Sequence, residues 1–290
     1  MSFSKRTIIK NLKLKLLFFL IFIPFFAKAE EVTEDYRKYS ITESKFILEK
    51  SVSKFNYPWA ISFIDKNNVV ITEKDGGLYR LNLLSGEKLR INHDINHIGY
   101  DGSGQGGLLD VYFNPSDNYL YFTYSHKSSK LTRSKQLSKK SSTAIARGRL
   151  IKNEIKELEV LLIAKPEFLE NRHYGSRIAI RGDDLFVSFG ERGQGMIAQD
   201  ASKHPGSIIR IKTDGEIPKD NPRFKGKKDW LPEIYLIGVR NPQGIAISPG
   251  NNKVYFSSHG PRGGDHIGEV EFASNYGWKD IAWGGREYYG

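Results

Sequence analysis

One histidine and one glutamate have the residue types that a proton-transfer site needs. His173 lies in the stretch "NRHYGSR", directly before the apolar run "IAI", and Glu191 lies in "FGERGQ". Histidine titrates near neutral pH and can act as a general base, and a carboxylate can orient the imidazole ring and stabilise its protonated form. On the local sequence alone, a packed or exposed loop histidine is the more common interpretation, so the assignment depends on what surrounds it.

Two further segments carry groups that bind anions or hard cations. Arg240, in "GVRNPQG", is a permanent cation suited to a carboxylate or a developing oxyanion, although a surface ion pair is the alternative. The glycines and proline of "HGPRGGDH" (259–266) bring several main-chain carbonyls together, and calcium accepts such ligands. A plain glycine-rich turn is the other interpretation, because the sequence contains no EF-hand or other carboxylate-dense calcium loop.

The stretch "GSGQGG" (102–107) formally satisfies a dinucleotide-binding pattern but lies in the wrong context. That pattern must open a helix so that phosphate meets the helix N-terminus, whereas this stretch opens the apolar run "LLDVYF". The glycines indicate either that the main chain here approaches another group closely or that this stretch is an ordinary loop. Gln105 is the amide side chain among them and can bind a hydroxyl group.

The elements that must position these residues are repeated hairpins of an apolar strand, a turn and a second apolar strand. Four copies begin at Trp59, Leu108, Arg177 and Gly244, and their starts lie roughly 50 to 70 residues apart, as expected of propeller blades with long loops. Helix-period segments are scarce; "SIIRIK" and "EIKELEVLL" are the ambiguous ones. The sequence therefore predicts an all-β protein of the β-propeller type.

Hairpin geometry predicts which distant residues meet. Residues before the first strand and after the second lie at the same end, because the turn occupies the other end. His173 and Glu191, 18 positions apart, should therefore be neighbours, and Arg240 and Asn241 should share an end with 259–261. Gln105 should lie near Ser125. Corresponding ends of successive blades face one mouth of the central channel, so these polar residues are expected to converge there.

The first 29 residues indicate export. Five basic residues precede "LLFFLIFIPFF", an apolar run too short to remain as an anchor, and "AKA" at 27–29 is a small-x-small cleavage site. A cleaved signal peptide, a mature chain that starts near Glu30 and a periplasmic location are predicted; an uncleaved membrane anchor is less favoured. The chain has no cysteine, which excludes disulfides and thiol nucleophiles.

The net charge of +11 overstates the basic character of the mature protein. The leader holds six of the 44 Lys and Arg residues and no Asp or Glu, which leaves 38 against 33. A Ser/Lys-rich stretch at 125–150 lacks interleaved aromatic residues and is interpreted as a solvated loop. Nucleic acid is therefore not expected as a partner.

Several motifs in order resemble the soluble quinoprotein glucose/sorbosone dehydrogenases, exported aldose dehydrogenases that use pyrroloquinoline quinone (PQQ). The resemblance runs from about Phe55 to the end of the chain. The motifs are "GQGGLLDV", "TAIARGRL", "HYGSR", "FGERGQ", "IRIKTDGEIPKDNP", "GVRNPQGIA", "HGPRGGD" and "NYGW". It implies a six-bladed propeller with PQQ and Ca²⁺ at the mouth of the channel, and it divides the chain into a signal peptide (1–29), an extension (30–54) and a partial propeller (55–290).

The resemblance also implies roles for individual residues. His173 matches the base that deprotonates the anomeric hydroxyl while hydride passes to the quinone, and Glu191 matches its carboxylate partner. Gln105 matches a residue beside the sugar. The product would be a lactone, and the expected partners are an aldose, an unspecified electron acceptor and, in a dimeric form, a second copy of the chain.

Four more residues match the cofactor side of the family's site. Arg240 and Asn241 correspond to the pair that contacts the PQQ quinone oxygens. Gly260 and Pro261 correspond to the main-chain carbonyl ligands of the PQQ-bound calcium.

The chain also departs from the family pattern. Arg172 stands where a His or an acid usually precedes the catalytic histidine, and "GGDHIGEVE" replaces the usual acidic run. The hairpins account for about four to five of six blades, which predicts a truncated chain with open sheet edges. Two other functions are kept: a non-catalytic extracellular propeller that binds sugar or protein, and a calcium-dependent lactonase.

Overall fold

The computed structural model describes residues 54–128, 130–131, 139–223, 229–282 and 284. The predicted signal peptide and all but the last residue of the 30–54 extension lie outside the described residues. The described part contains a short 3-10 helix at Gly195–Gln199 and fifteen strands. The strands are β1 Pro58–Phe63, β2 Asn68–Glu73, β3 Leu78–Asn82, β4 Lys88–Arg90, β5 Leu108–Asn114, β6 Tyr119–Lys127, β7 Ser141–Ile151, β8 Glu154–Ile163, β9 Ile178–Arg181, β10 Asp184–Phe189, β11 Ser207–Lys212, β12 Ile234–Ile237, β13 Pro242–Ile247, β14 Val254–Ser258 and β15 His266–Glu269.

These strands form four antiparallel sheets in chain order, which are the blades of a propeller. Strands β1–β4, β5–β8 and β9–β12 each make a four-stranded meander, and β13–β15 make a three-stranded one. Each predicted hairpin supplies the first two strands of one blade. The all-β propeller prediction is confirmed. Within the described residues, no helix has the length and apolar character needed to cross a membrane.

The cores lie between successive blades, because alternate residues of a strand face opposite sides of its sheet. In β6, Phe122 packs in the core between the first and second blades, and its neighbour Tyr121 packs in the core between the second and third. In β10, Val187 faces the second blade and Phe186 faces the fourth. Burial on both faces explains why these strands read as continuous apolar runs.

The interpretation of 125–150 as a solvated loop is wrong at both ends of this stretch. Strand β6 continues to Lys127, and β7 pairs with it from Ser141 onward. The first six residues of β7 are buried, since small and β-branched side chains such as Ala144 and Ile145 fit between two blades. The two ambiguous segments are also strands: "EIKELEVLL" lies in β8 and "SIIRIK" is β11.

Candidate functional site

The loops at one end of the blades bring His173 and Glu191 into contact. The loop before β9 carries His173, and Glu191 follows β10. The imidazole Nδ1 is hydrogen-bonded to Glu191 Oε1, and both residues are buried. The second carboxylate oxygen accepts a hydrogen bond from the Gly195 N–H at 2.6 Å. The predicted proximity is confirmed, and the carboxylate is held at both oxygens.

The main chain around His173 is tightly constrained. His173 has a φ of 52°, a left-handed conformation that is uncommon for residues other than glycine. A Cβ atom on Gly190 would lie 2.2 Å from the His173 carbonyl oxygen. The N–H of Gly175 donates to the Asn241 Oδ1 at 3.1 Å. The loop therefore presents the imidazole in one place through contacts to its backbone.

Gln105 lies against the histidine loop. Its side-chain Oε1 accepts a hydrogen bond from the His173 main-chain N–H at 2.7 Å. The main-chain N–H of Gln105 donates to the Asn171 carbonyl, also at 2.7 Å. A Cβ on Gly104 would lie 2.3 Å from Asn171, and Ser125 Oγ accepts from the Gly107 N–H at 2.7 Å. The glycines of 102–107 therefore allow two chain segments to approach closely, which is the first of the two interpretations that the sequence left open for this stretch.

Arg240 and Asn241 are buried between the third and fourth blades, so a surface ion pair does not describe Arg240. The Arg240 carbonyl accepts a hydrogen bond from the Glu191 N–H at 2.8 Å, and the Asn241 carbonyl accepts one from the His259 N–H at 3.2 Å. The guanidinium lies 5.4 Å from the centre of the Trp278 ring. The predicted grouping of 240–241 with 259–261 is confirmed, and it reaches the His173–Glu191 pair.

The segment with Gly260 and Pro261 is rich in main-chain oxygen. A Cβ on Gly260 would lie 2.3 Å from the Gly263 carbonyl oxygen and 2.7 Å from that of Gly264. Asp265 Oδ1 accepts a hydrogen bond from the Gly260 N–H, and this bond lowers the pKa of the Asp265 carboxyl. The donor chemistry fits a hard cation such as Ca²⁺. Among the described residues there is no cluster of three or more His, Asp or Glu side chains that would hold a metal ion.

A cavity of about 220 Å³ lies beside these loops. Its lining combines two aromatic rings, amide groups and a cation, and the Lys74 Nζ within it donates to the Gly104 carbonyl at 2.5 Å. This chemistry fits a planar, anionic ring system such as PQQ. The lining residues are Trp59, Lys74, Gly104, Gln105, Tyr174, Asn241, Gln243 and His259.

An ion pair next to the cavity, between buried Asp110 and half-buried Arg177, was not predicted from the sequence. Arg177 Nη1 lies 3.2 Å from Asp110 Oδ1, its Nε donates to the Gln243 carbonyl at 2.8 Å, and its guanidinium lies 4.0 Å from the Trp59 ring centre. Asp110 also accepts a hydrogen bond from the Ile178 N–H at 2.9 Å. The one sequence feature that could have indicated this pair is the acidic residue Asp110 within the otherwise apolar run "LLDVYF". The pair links residues from all four described blades.

Asp110 makes folding stability depend on pH. Burial raises the pKa of Asp110 to about 6, although Arg177 opposes the rise. The folded chain therefore binds a proton more tightly than the unfolded chain. Stability falls as the pH rises from about 3, below the pKa of an unfolded Asp, to about 7, above that of folded Asp110. We expect the free energy of unfolding of the wild type to fall by about 3 kcal/mol more than that of Asp110→Asn across this range, because the amide does not ionise.

Urea unfolding of both proteins at several pH values measures this difference. Asp214→Asn serves as the control, since that carboxylate lies in a turn and accepts a local hydrogen bond from the Glu216 N–H. The same pH dependence in the wild type and in Asp110→Asn would contradict the prediction.

Comparison with known proteins agrees with this fold. A family model described as "Glucose / Sorbosone dehydrogenase" matches residues 55–290. The chain belongs to this family. It is 32% identical over 238 residues to the aldose sugar dehydrogenase YliI of Escherichia coli, covering 80% of this chain and 61% of that protein. It is 30% identical over 275 residues to the quinoprotein glucose dehydrogenase B of Acinetobacter calcoaceticus, covering 83% and 56%.

Solved structures of the family have the same fold. The soluble aldose sugar dehydrogenase of E. coli in its apo form superposes with a TM-score of 0.71 at 32% identity, covering 81% of this chain and 66% of that one. The PQQ-bound aldose sugar dehydrogenase of Streptomyces coelicolor, at 23% identity, gives a TM-score of 0.67 over 81% and 66% and supports the fold alone. The chain spans about three fifths of the length of the two curated relatives described above.

Proposed function

We propose that this protein is a PQQ-dependent aldose dehydrogenase that oxidises the anomeric carbon of a sugar to the lactone. The observation that carries the proposal is the buried His173–Glu191 hydrogen bond, which lies beside a cavity lined by polar and aromatic residues. The chain that makes this bond belongs to the glucose/sorbosone dehydrogenase family. The names of the relatives support the reaction class, because they are aldose sugar and quinoprotein glucose dehydrogenases.

His173 would act as the general base. A carboxylate is only an acceptor, so the hydrogen bond to Glu191 places the proton of a neutral imidazole on Nδ1. The lone pair is then on Nε2, which takes the proton from the anomeric hydroxyl of the sugar. Glu191 stabilises the imidazolium that forms, as the carboxylate of a catalytic triad does.

Gln105 would help to position the sugar. It lines the cavity, and its Oε1 is fixed by the His173 N–H, so a sugar hydroxyl bound by the same amide is held at a set place relative to the base. Holding the reacting hydroxyl near the base supplies much of the rate enhancement of such a step.

The remaining site residues would hold the cofactor. Bound PQQ and Ca²⁺ would supply a two-electron acceptor for the hydride of the sugar and positive charge beside it. Arg240 and Asn241 would bind the quinone oxygens, and the carbonyls of Gly260 and Pro261 would bind the calcium. Arg240 is a fixed cation held at a buried position, which suits it to stabilise negative charge.

Export to the periplasm is part of the proposal. Residues 1–29 have the order of basic, apolar and small residues that a cleaved signal peptide has. The proposed substrate is an aldose. If the protein forms an oligomer, the proposed form is a homodimer.

The purified mature protein tests the proposal when it is reconstituted with PQQ and Ca²⁺ and assayed by dye reduction with a panel of aldoses. We expect reduction that needs both PQQ and an aldose and that is lost when Ca²⁺ is chelated. Turnover of an aldose without PQQ would contradict the cofactor assignment. Aldose binding without turnover in the PQQ-loaded protein would favour the non-catalytic propeller, and lactone hydrolysis without PQQ would favour the lactonase.

A further inference from the structure

Arg192 is a buried cation next to the candidate site that the proposed chemistry does not use. It follows Glu191 directly, and it is the largest of the fully buried side chains among the described residues. Burying a charge is costly unless hydrogen bonds and nearby charges compensate. The position of Arg192 therefore requires a structural or functional reason.

The hydrogen bonds that the structure gives this guanidinium go to uncharged oxygen atoms on two chain segments. Nε donates to the Arg172 carbonyl at 2.9 Å, and Nη2 donates to the Glu170 carbonyl. Nη1 donates to the Ser141 carbonyl at 2.9 Å, at the start of β7. Three nitrogens of one planar group thus hold the loop before His173 against the second blade, which a lysine could not do with the same geometry.

The ring of Tyr174 completes the contact. The Arg192 guanidinium lies 3.7 Å from the centre of this ring, and the Tyr174 hydroxyl is hydrogen-bonded to Ser141 Oγ at 2.8 Å. The Arg192 main-chain N–H also donates to the His173 carbonyl at 3.3 Å. His173 is therefore flanked on both sides, at 172 and 174, by residues that Arg192 contacts.

The electrostatic surroundings are consistent with a retained positive charge. Burial lowers the pKa of Arg192, and electrostatic interactions with Tyr174, Glu170 and Glu191 oppose that change. Arginine remains protonated even when its pKa falls below the usual range, since that range lies above 12. The side chain therefore keeps all of its donors.

We propose that Arg192 is a positioning residue that holds the 170–174 segment so that the His173 imidazole stays on Glu191. The left-handed backbone at His173 is unfavourable on its own, and the clamp from Arg192 to the carbonyls of Glu170 and Arg172 maintains it. This inference rests on the proposed function for its kinetic consequence, but its structural consequence is measurable without PQQ, Ca²⁺ or sugar.

Proton NMR of the cofactor-free protein provides that measurement. A proton in a buried hydrogen bond between an imidazole and a carboxylate, protected from exchange with water, gives a resonance far downfield, and the loss of that signal in His173→Gln assigns it. We expect the signal in the wild type and its loss, through exchange with water, in Arg192→Met. Arg192→Lys should also lose it, because lysine keeps the charge but cannot bind the three carbonyls together.

The kinetic test uses the same variants loaded with PQQ and Ca²⁺. Because the base is misplaced and the sugar site is not removed, we expect kcat to fall by about 10²-fold in Arg192→Lys while the KM for the sugar changes less than about 3-fold. Arg210→Lys is the matched control: Arg210 is also buried, in β11 of the same blade, but pairs with Asp184 and Asp220. This control should keep both the downfield signal and kcat.

A folded Arg192→Lys that keeps the downfield signal overturns the proposal, and so does an equal loss of signal in Arg210→Lys. If Arg192→Met does not fold, Arg192→Lys alone decides. If the downfield resonance depends on Arg192 but the PQQ-loaded protein reduces no dye with any aldose, the positioning role of Arg192 is supported and the proposed dehydrogenase activity is refuted. Failure of the positioning proposal and failure of the proposed function are therefore distinguishable.

Discussion

His173→Ala is expected to lower kcat for aldose oxidation by about 10²–10⁴-fold in the PQQ-loaded protein, the range that general-base catalysis contributes. Alanine removes the imidazole that is hydrogen-bonded to Glu191 and that is proposed to take the anomeric proton. The KM for the sugar should change much less, because the base acts mainly in the transition state. Steady-state dye reduction with and without added imidazole measures the effect, and added imidazole should restore part of the rate.

His204 provides a matched control for this substitution. It is also a buried histidine paired with a glutamate, with Nε2 lying 2.7 Å from Glu233 Oε1. Its Nδ1 accepts a hydrogen bond from the Lys165 N–H at 3.0 Å, so both ring nitrogens are used within the fold. His204→Ala should therefore reduce stability and leave kcat within about 3-fold of the wild type.

An outcome in which His173→Ala and His204→Ala have the same kcat would show that His173 is structural. The sequence alone could not distinguish the two histidines, because each is a single histidine in a polar loop. What separates them is the use of Nδ1: in His173 it faces the carboxylate, and in His204 it faces a main-chain N–H.

Hairpin logic was sufficient to predict the convergence of the site. The proximity of His173 to Glu191, and of 240–241 to 259, follows from the fact that the two open ends of a hairpin coincide. The prediction needed only alternating patterns and turn residues, which are local properties of the chain. The same logic could not place β12, because a long connection separates it from its partner β11, and it missed β8, which pairs with β7 across the two-residue turn at 152–153.

The supporting residues were missed for a different reason. The role of Arg192 depends on carbonyl groups at 141, 170 and 172, and carbonyls carry no signature in the sequence. Asp110 and Arg177 lie 67 positions apart on different blades, so no local pattern joins them. Residues that act through the backbone of distant segments become visible only when the blades are packed together.

Hydrogen bonds to main-chain groups cross between the blades at the site. Glu191 N–H donates to the Arg240 carbonyl, Gly175 N–H donates to the Asn241 side chain, and the Gln243 Nε2 donates to the Gly175 carbonyl at 3.1 Å. A change in one loop is therefore transmitted to its neighbours through the backbone. Small residues at the crossing points should be as sensitive to substitution as the polar side chains.

Gly190→Ala is expected to lower kcat by about 10²-fold, since the added methyl group would displace His173, the proposed general base. Its Cβ would lie 2.2 Å from the His173 carbonyl oxygen and 2.7 Å from the Asn241 Oδ1, so both the base and a proposed cofactor ligand must move. Gly190 is not in the left-handed conformation, so the effect comes from this contact and not from backbone strain. Overpacking of this kind should also lower the free energy of unfolding by about 1–3 kcal/mol.

The measurement combines dye-reduction kinetics with urea unfolding at one temperature, and Gly250→Ala is its control. Gly250 lies in the turn between β13 and β14, where the nearest atom to an added Cβ, Ser248 Oγ, is 3.9 Å away. This variant should be within about 0.5 kcal/mol of the wild type and fully active. If Gly190→Ala retains wild-type kcat, then the His173 loop can shift without loss of function, and the argument that its backbone contacts fix the base is wrong.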